Sequence, residues 1–231
     1  MNFFEEWRRN LENVKYIYAF LAEKEYVNET FLHGSPWEAE QACEVLTGIP
    51  MERFLDCICR LQPKGDFSKA DVPIFSNFER SVIRVPELLS FAPEGLTFSE
   101  LGYQLMQCAN EVAQKKYGEN QSKLAELCGV VSIGNERPRV VRLTALGRYL
   151  VPLPPEEKMA IFQRMVLRNA YLQYFVHEVT ASKESISYKE TVSCLAPSNQ
   201  KRRGPNVHYL MDFIFKGSKK ESVLQKIDWK V

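Results

Sequence analysis

Several familiar signatures are missing from this chain. No run approaches about 18 consecutive apolar residues, so no membrane-spanning helix is expected. There is no P-loop, no Gly-x-Gly-x-x-Gly, no His-Glu-x-x-His and no Gly-x-Ser-x-Gly. Histidine is scarce: His33, His177 and His208 are the three, and none has ligand spacing to a cysteine. No Cys-x-x-Cys pair occurs, which argues against a structural zinc site. The opening MNFFEEWRRN carries two glutamates and lacks the charged-then-apolar order of a signal peptide. These absences predict a cytoplasmic protein with no metal, no cofactor and no membrane partner.

What remains is an ordinary globular composition. The 231 residues are 45% hydrophobic and include 14 Phe and 10 Tyr, which excludes global disorder. The net charge of +1 conceals a polar division. Residues 1–60 carry a balance of −5, residues 96–150 carry +2, and residues 196–231 carry +5. A polyanion contact is therefore expected towards the C-terminal half. The six cysteines (Cys43, Cys57, Cys59, Cys108, Cys128, Cys194) fall mostly inside apolar helical patterns and are expected to be free and buried.

Apolar periodicity places a helix over 3–26, through Phe4, Trp7, Leu11, Val14, Tyr18 and Leu21. Ser35-Pro36-Trp37-Glu38 is a capping box that opens a helix to about Leu46. Gly48-Ile49-Pro50 breaks the chain before a second helix to about Leu61, so 35–61 is a helix-turn-helix candidate. Its acidic balance favours packing or dimerisation over DNA. Residues 62–95 read as a loose sheet or wing, with β-like runs at Pro73–Phe75 and Ser81–Val85. Thr97-Phe98-Ser99-Glu100 opens the next helix, which extends to about Lys116. A turn at Tyr117–Asn120 and a short helix Gln121–Cys128 follow, closed by Gly129. Two strands, Val130–Ile133 and Arg139–Leu143, flank a polar hairpin, and Thr144 caps Ala145–Leu150. A helix from Glu156 breaks near Asn169, and a last helix covers about 206–216 after a Ser-, Lys- and Asn-rich stretch. Leu96-Thr97…Leu101-Gly102-Tyr103 echoes Leu143-Thr144-Ala145-Leu146-Gly147-Arg148-Tyr149, which suggests tandem construction.

Chemistry concentrates in Tyr117–Leu150. Asn120, Gln121, Ser122 and Lys123 fall at the predicted exposed start of the short helix, where such side chains reach base edges or phosphates. Arg137 and Arg139 bracket the hairpin tip, with Arg142 further along the strand. YGENQSKLAELCG, the strand RPRVVRLT and the helix LTALGRYL together resemble the winged-helix DNA-binding modules of prokaryotes. More narrowly, they resemble those that accompany restriction-modification and other phage-defence proteins. The resemblance covers 96–150 best, and the tail KRRGPNVHYLMDFIF more thinly. It implies a sequence-reading or DNA-docking role, although winged helices also serve as protein-interaction modules.

The expected architecture is mainly α with small β wings: tandem (winged) helix-turn-helix units and a C-terminal helical extension. Residues 1–95 form an N-terminal helical unit, 96–153 the winged helix, and 154–231 the extension with its basic tail. Lys201, Arg202 and Arg203 in that tail are further candidate phosphate ligands. The expected partner is double-stranded DNA, with other protein subunits or a second copy as alternatives. A nuclease would need clustered carboxylates beside a lysine on strands. Asp66 and Asp71 near Lys64 and Lys69 lack that strand context, and His177-Glu178 is an isolated pair on a helix. No catalytic constellation is expected.

Overall fold

The structure, a computed structural model, describes residues 3–61, 65, 67–106 and 110–230. It is mainly helical with a small antiparallel sheet, as composition and periodicity predict. The chain divides into two compact units that do not follow three consecutive segments. The first unit comprises 1–26, 46–73 and 166–231; the second comprises 27–45 and 74–165.

The first unit contains α1 (Phe3–Ala22), the end of α3 (Pro36–Gly48) and α4 (Met51–Leu61). Only the later turns of α1 face a core, through Ile17, Phe20 and Leu21. Phe20 meets Phe54 of α4 edge to face, with ring centroids 6.0 Å apart. The predicted front of the stripe, Phe4, Trp7 and Leu11, is exposed. The helix-turn-helix candidate over 35–61 is divided between the units, because α3 crosses their boundary. This unit also holds α10 (Ala170–Ala181), α11 (Tyr188–Thr191) and α12 (Pro197–Phe215). Strand β4 (Ile186–Ser187) pairs in parallel with β5 (Ile227–Asp228). Asn169 caps α10 by accepting from the Leu172 amide at 3.0 Å, which explains the break expected there.

The second unit contains α2 (Lys24–Val27) in part, α5 (Val85–Ser90), α6 (Phe98–Met106), α7 (Glu111–Leu127), α8 (Ala145–Leu150) and α9 (Pro155–Met165). The β-like reading of Ser81–Val85 is corrected: Arg80–Arg84 is a π-helical turn that leads into α5, with Pro86 in its first turn. Pro86 lacks an N–H, and the start of a helix is where that group is dispensable. Strands β1 (Leu96–Thr97), β2 (Val131–Ile133) and β3 (Val140–Leu143) form an antiparallel sheet in the order β1-β3-β2. Val141 pairs with Leu96 on one side and Ile133 on the other. Gly129, at φ +72°, ends α7 in the left-handed conformation that glycine adopts without strain. The Leu96-Thr97 and Leu143-Thr144 echo is local to this sheet, since each pair ends a strand and caps a helix.

Both predicted capping boxes form. The Thr97 and Ser35 amides donate to the Glu100 and Glu38 carboxylates, each at 2.7 Å. The hydrogen bonds from the Thr97 amide, then its hydroxyl, hold the Glu100 carboxyl below the ordinary glutamate value. A carboxylate depressed in this way contributes stability above the unfolded value of about 4.3 and loses it as pH falls through the folded value. Glu100→Gln is therefore expected to make the acid limb of a stability-versus-pH profile shallower. A limb of unchanged slope in acid titration followed by circular dichroism would contradict the assignment.

No disulfide joins the described cysteines. Burial pushes the Cys43 thiol up to about 12 and raises Cys57 and Cys128 as well. The expectation of uniform burial is corrected, because Cys194 is exposed and Cys59 half-buried. Cys108 lies outside the described residues.

Candidate nucleic-acid interface

The largest departure from expectation lies in α7. Tyr117–Asn120 is not a turn: the helix runs unbroken from Glu111 to Leu127, capped by Asn110, whose Oδ1 accepts from the Ala113 amide at 3.0 Å. Gly118 tolerates a helix interior here because α6 lies against it. A Cβ built at Gly118 would stand 2.0 Å from the Phe98 carbonyl oxygen. One at Gly102 would stand 1.8 Å from the Gln114 carbonyl oxygen. Two glycines thus let α6 and α7 cross nearly backbone to backbone, and that packing outweighs the roughly 1 kcal/mol that glycine costs within a helix.

Continuity of α7 turns Asn120, Gln121 and Ser122 inward, which corrects their placement at an exposed helix start; all three are buried. Gln121 Oε1 accepts from the Ser76 and Asn77 amides and the Ser81 hydroxyl, at 3.2, 3.3 and 3.1 Å. Its Nε2 donates to the Asn77 carbonyl at 3.1 Å. Ser122 Oγ donates to the Gly118 carbonyl at 2.8 Å. These are structural groups. Gln121→Ala is expected to remove the acceptor of the buried Ser81 hydroxyl and of two part-buried amides, and to lower stability by about 1–3 kcal/mol, measurable by urea unfolding. An unchanged unfolding midpoint would return Gln121 to the surface.

Lys123 remains exposed, and it shares a face of α7 with Val112, Lys115, Lys116, Glu119 and Glu126. Lys116 and Lys123 donate to the Glu119 carboxylate at 2.9 and 2.6 Å. Burial alone would push that carboxyl up; the two ammonium groups outweigh it and hold it below the ordinary value. In the hairpin, Arg142 is exposed but committed to an ion pair with Glu136. Arg137 and Arg139 are exposed at the tip, joined by Pro138 after a cis peptide bond.

The tip does not stand alone. Arg137, Pro138 and Arg139 form one wall of a cleft of about 550 Å³, with Thr97, Phe98 and Ser99 from the start of α6 and Lys115 and Glu119 from α7. Among the described residues, Lys115, Arg137 and Arg139 stand in no ion pair. Three cations on two elements thus converge on one concave surface. Lys115 was missed by sequence reading. Its place on this face follows the spacing of Val112, Lys115, Glu119 and Lys123, which is legible only once α7 is one helix.

The basic tail is also redistributed. Lys201 and Arg202 are exposed, but they lie within α12, which begins at Pro197 and not near residue 206. Arg203 is buried and donates to the Val72 carbonyl, so it is a structural tether and not a phosphate ligand. Burial, then Arg202, lowers its proton affinity.

Compared with known proteins, the chain matches no family model, no curated protein and no solved structure. Among the described residues, no group of three or more His, Cys, Asp or Glu is placed to hold a metal ion. Lys64 and Asp66 lie outside the described residues, and the Asp71 carboxylate is occupied by the Ser68 amide and hydroxyl at 2.6 and 2.8 Å. No described helix is long and apolar enough to cross a membrane.

Proposed function

We propose that the protein binds double-stranded DNA without catalysis, through the exposed face of α7 and the β2–β3 hairpin, as a regulator or as the DNA-docking subunit of a defence or restriction-modification system. The observation that carries this reading is the convergence of Lys115, Arg137 and Arg139 on one cleft. The order of elements supports it. Helix α5, strand β1, helices α6 and α7, strand β2, a hairpin and strand β3 follow one another, with sheet order β1-β3-β2. That order resembles a winged helix, in which α7 would take the place of the groove-facing helix and the hairpin that of the wing.

The contacts suit backbone docking better than base reading. The exposed polar groups of α7 are lysines and glutamates, whereas the amide side chains Asn120 and Gln121 are spent inside the fold. Lysine and arginine pair with phosphates and release counterions, so affinity should fall steeply with salt. Fluorescence anisotropy with a labelled duplex across a salt series tests this. Affinity indifferent to salt would reject it.

A second reading, a protein-docking subunit, is favoured by one specific observation. Phe4, Trp7 and Leu11, at helical spacing on α1, are 72%, 59% and 41% exposed. Sedimentation velocity over a concentration range tests self-association through this stripe, and an unshifted monomer boundary would remove a second copy as its occupant.

A further inference from the structure

The two units each contain the same succession: a helix, a two-residue strand, a short helix and a long helix. In the second unit these are α5, β1, α6 and α7; in the first they are α10, β4, α11 and α12. The sequences agree where the elements do. Leu96-Thr97-Phe98-Ser99-Glu100 is matched by Ile186-Ser187-Tyr188-Lys189-Glu190. Gln114-Lys115-Lys116-Tyr117-Gly118 is matched by Gln200-Lys201-Arg202-Arg203-Gly204. At unchanged spacing, Asn120, Leu124 and Glu126 are matched by Asn206, Leu210 and Asp212.

Burial follows the same alignment. Both glutamines, both glycines and both leucines are buried, whereas both basic pairs and both acids are exposed. Each glycine sits against the aromatic residue that opens the preceding helix. Gly118 abuts the backbone of Phe98, and a Cβ at Gly204 would meet the Tyr188 ring at 3.3 Å. Common residues can coincide by chance in sequence. Coincidence in sequence, burial and packing partner together identifies a repeated module.

The equivalence extends to the cleft. Beside Lys201 lies a groove of about 360 Å³ formed with Gly204, Pro205, His208 and Trp229. Lys201 occupies the place of Lys115, and Pro205 that of Glu119, so the carboxylate that engages two lysines of α7 has no counterpart there. Trp229, just beyond β5, lines this groove, as Arg137 and Arg139 line the cleft beside Lys115. The exposed His208 ring stacks on it, centroids 4.2 Å apart and planes at 22°. Tyr188 and Phe175 support the indole at 5.6 and 5.8 Å. The strand pairing differs, parallel here and antiparallel there, and the first unit has no β-hairpin at this place among the described residues.

We propose that Lys201 and Arg202, with the His208–Trp229 groove beside them, form a second DNA contact equivalent to the one at Lys115, Arg137 and Arg139, so that each unit carries one. Lysine and arginine supply the phosphate contacts, and the aromatic pair supplies a flat surface against the sugar-phosphate edge. This rests on the DNA-binding reading above and extends it to the first unit.

Anisotropy with a labelled duplex of about two helical turns, long enough for two contacts, tests the proposal on the full chain. K201A/R202A removes two phosphate contacts, so the log–log salt slope should shrink by about 1.8 and affinity near physiological salt should fall about thirtyfold. Both residues are exposed, and circular dichroism checks the fold; if the double alanine variant unfolds, K201Q/R202Q replaces it. Independently, W7F/W37F leaves Trp229 as the sole tryptophan, and its emission should change on adding duplex. Binding by the unaltered chain with an unchanged slope in K201A/R202A and silent Trp229 emission overturns the second contact and leaves the α7 interface standing. Where emission and slope disagree, the slope decides. A slope that shrinks only in K115A/R137A/R139A likewise overturns the second contact. No duplex binding at all by the unaltered chain overturns both readings.

Discussion

Replacing Lys115, Arg137 and Arg139 together with alanine is expected to weaken duplex binding by about a hundredfold near physiological salt. Each phosphate ligand removed should take about 0.9 from the log–log salt slope, so the slope of the triple variant should be smaller by about 2.7. Close to 0.15 M salt that slope change corresponds to roughly two decades in affinity. The effect should be the same for unrelated duplex sequences, because phosphate contacts carry no base information. Lys115, Arg137 and Arg139 are exposed and stand in no ion pair among the described residues, so stability should change by no more than about 0.5 kcal/mol per site. Arg142→Ala provides the contrast. Its guanidinium is paired with Glu136, whose carboxyl is held low by that bond, so its removal should change the slope less than removal of either tip arginine. Full affinity in a folded triple variant would exclude this cleft as the DNA surface and promote the protein-docking reading.

The second large effect is expected in stability, at one aligned position in two modules. Gly118→Ala places a Cβ 2.0 Å from the Phe98 carbonyl oxygen and 2.9 Å from the Gly102 nitrogen. Both are backbone atoms within a helix and cannot yield separately, so α6 must separate from α7. Overpacking of this kind costs about 1–3 kcal/mol and occasionally more, and at this site the upper end, about 3 kcal/mol, is expected. Gly204→Ala meets only the Tyr188 ring, at 3.3 Å, which can give by a few tenths of an ångström. There the gain in helix propensity, about 1 kcal/mol, offsets the crowding, and near-neutrality is expected. Urea unfolding of the two variants compares them directly. Equal destabilisation would mean that the two crossings are alike, and a stable Gly118→Ala would mean that α6 and α7 do not approach as closely as the structure places them.

These results depend on features of very different legibility. Some were written locally. The boxes Ser35–Glu38 and Thr97–Glu100, the Thr144 cap, the Gly129 terminus and the break at Asn169 each need only a few consecutive residues, and each formed where its residue types demand. The hairpin around Gly134–Pro138 is equally local, which is why Arg137 and Arg139 could be placed at a tip from sequence alone.

Other features required the third dimension. Gly118 and the Gly204-Pro205 pair are helix breakers by propensity, yet both lie inside long helices; at Gly118 the close approach of α6 accounts for it. That one difference reversed the faces of α7. Asn120, Gln121 and Ser122, candidate base readers by residue type, are interior groups, and Lys115 shares a cleft with the hairpin tip. Arg203 was drawn inward in the same way by the Val72 carbonyl, while Lys201 and Arg202, one turn of the same helix, stayed in solvent. The sequence by itself determined the mainly helical class, the caps and the charged hairpin, since these depend on neighbours a few residues apart. Only the tertiary structure decided which polar side chains face solvent and which cations share a cleft, because the packing of α6 on α7 selects the helix face and residue type does not.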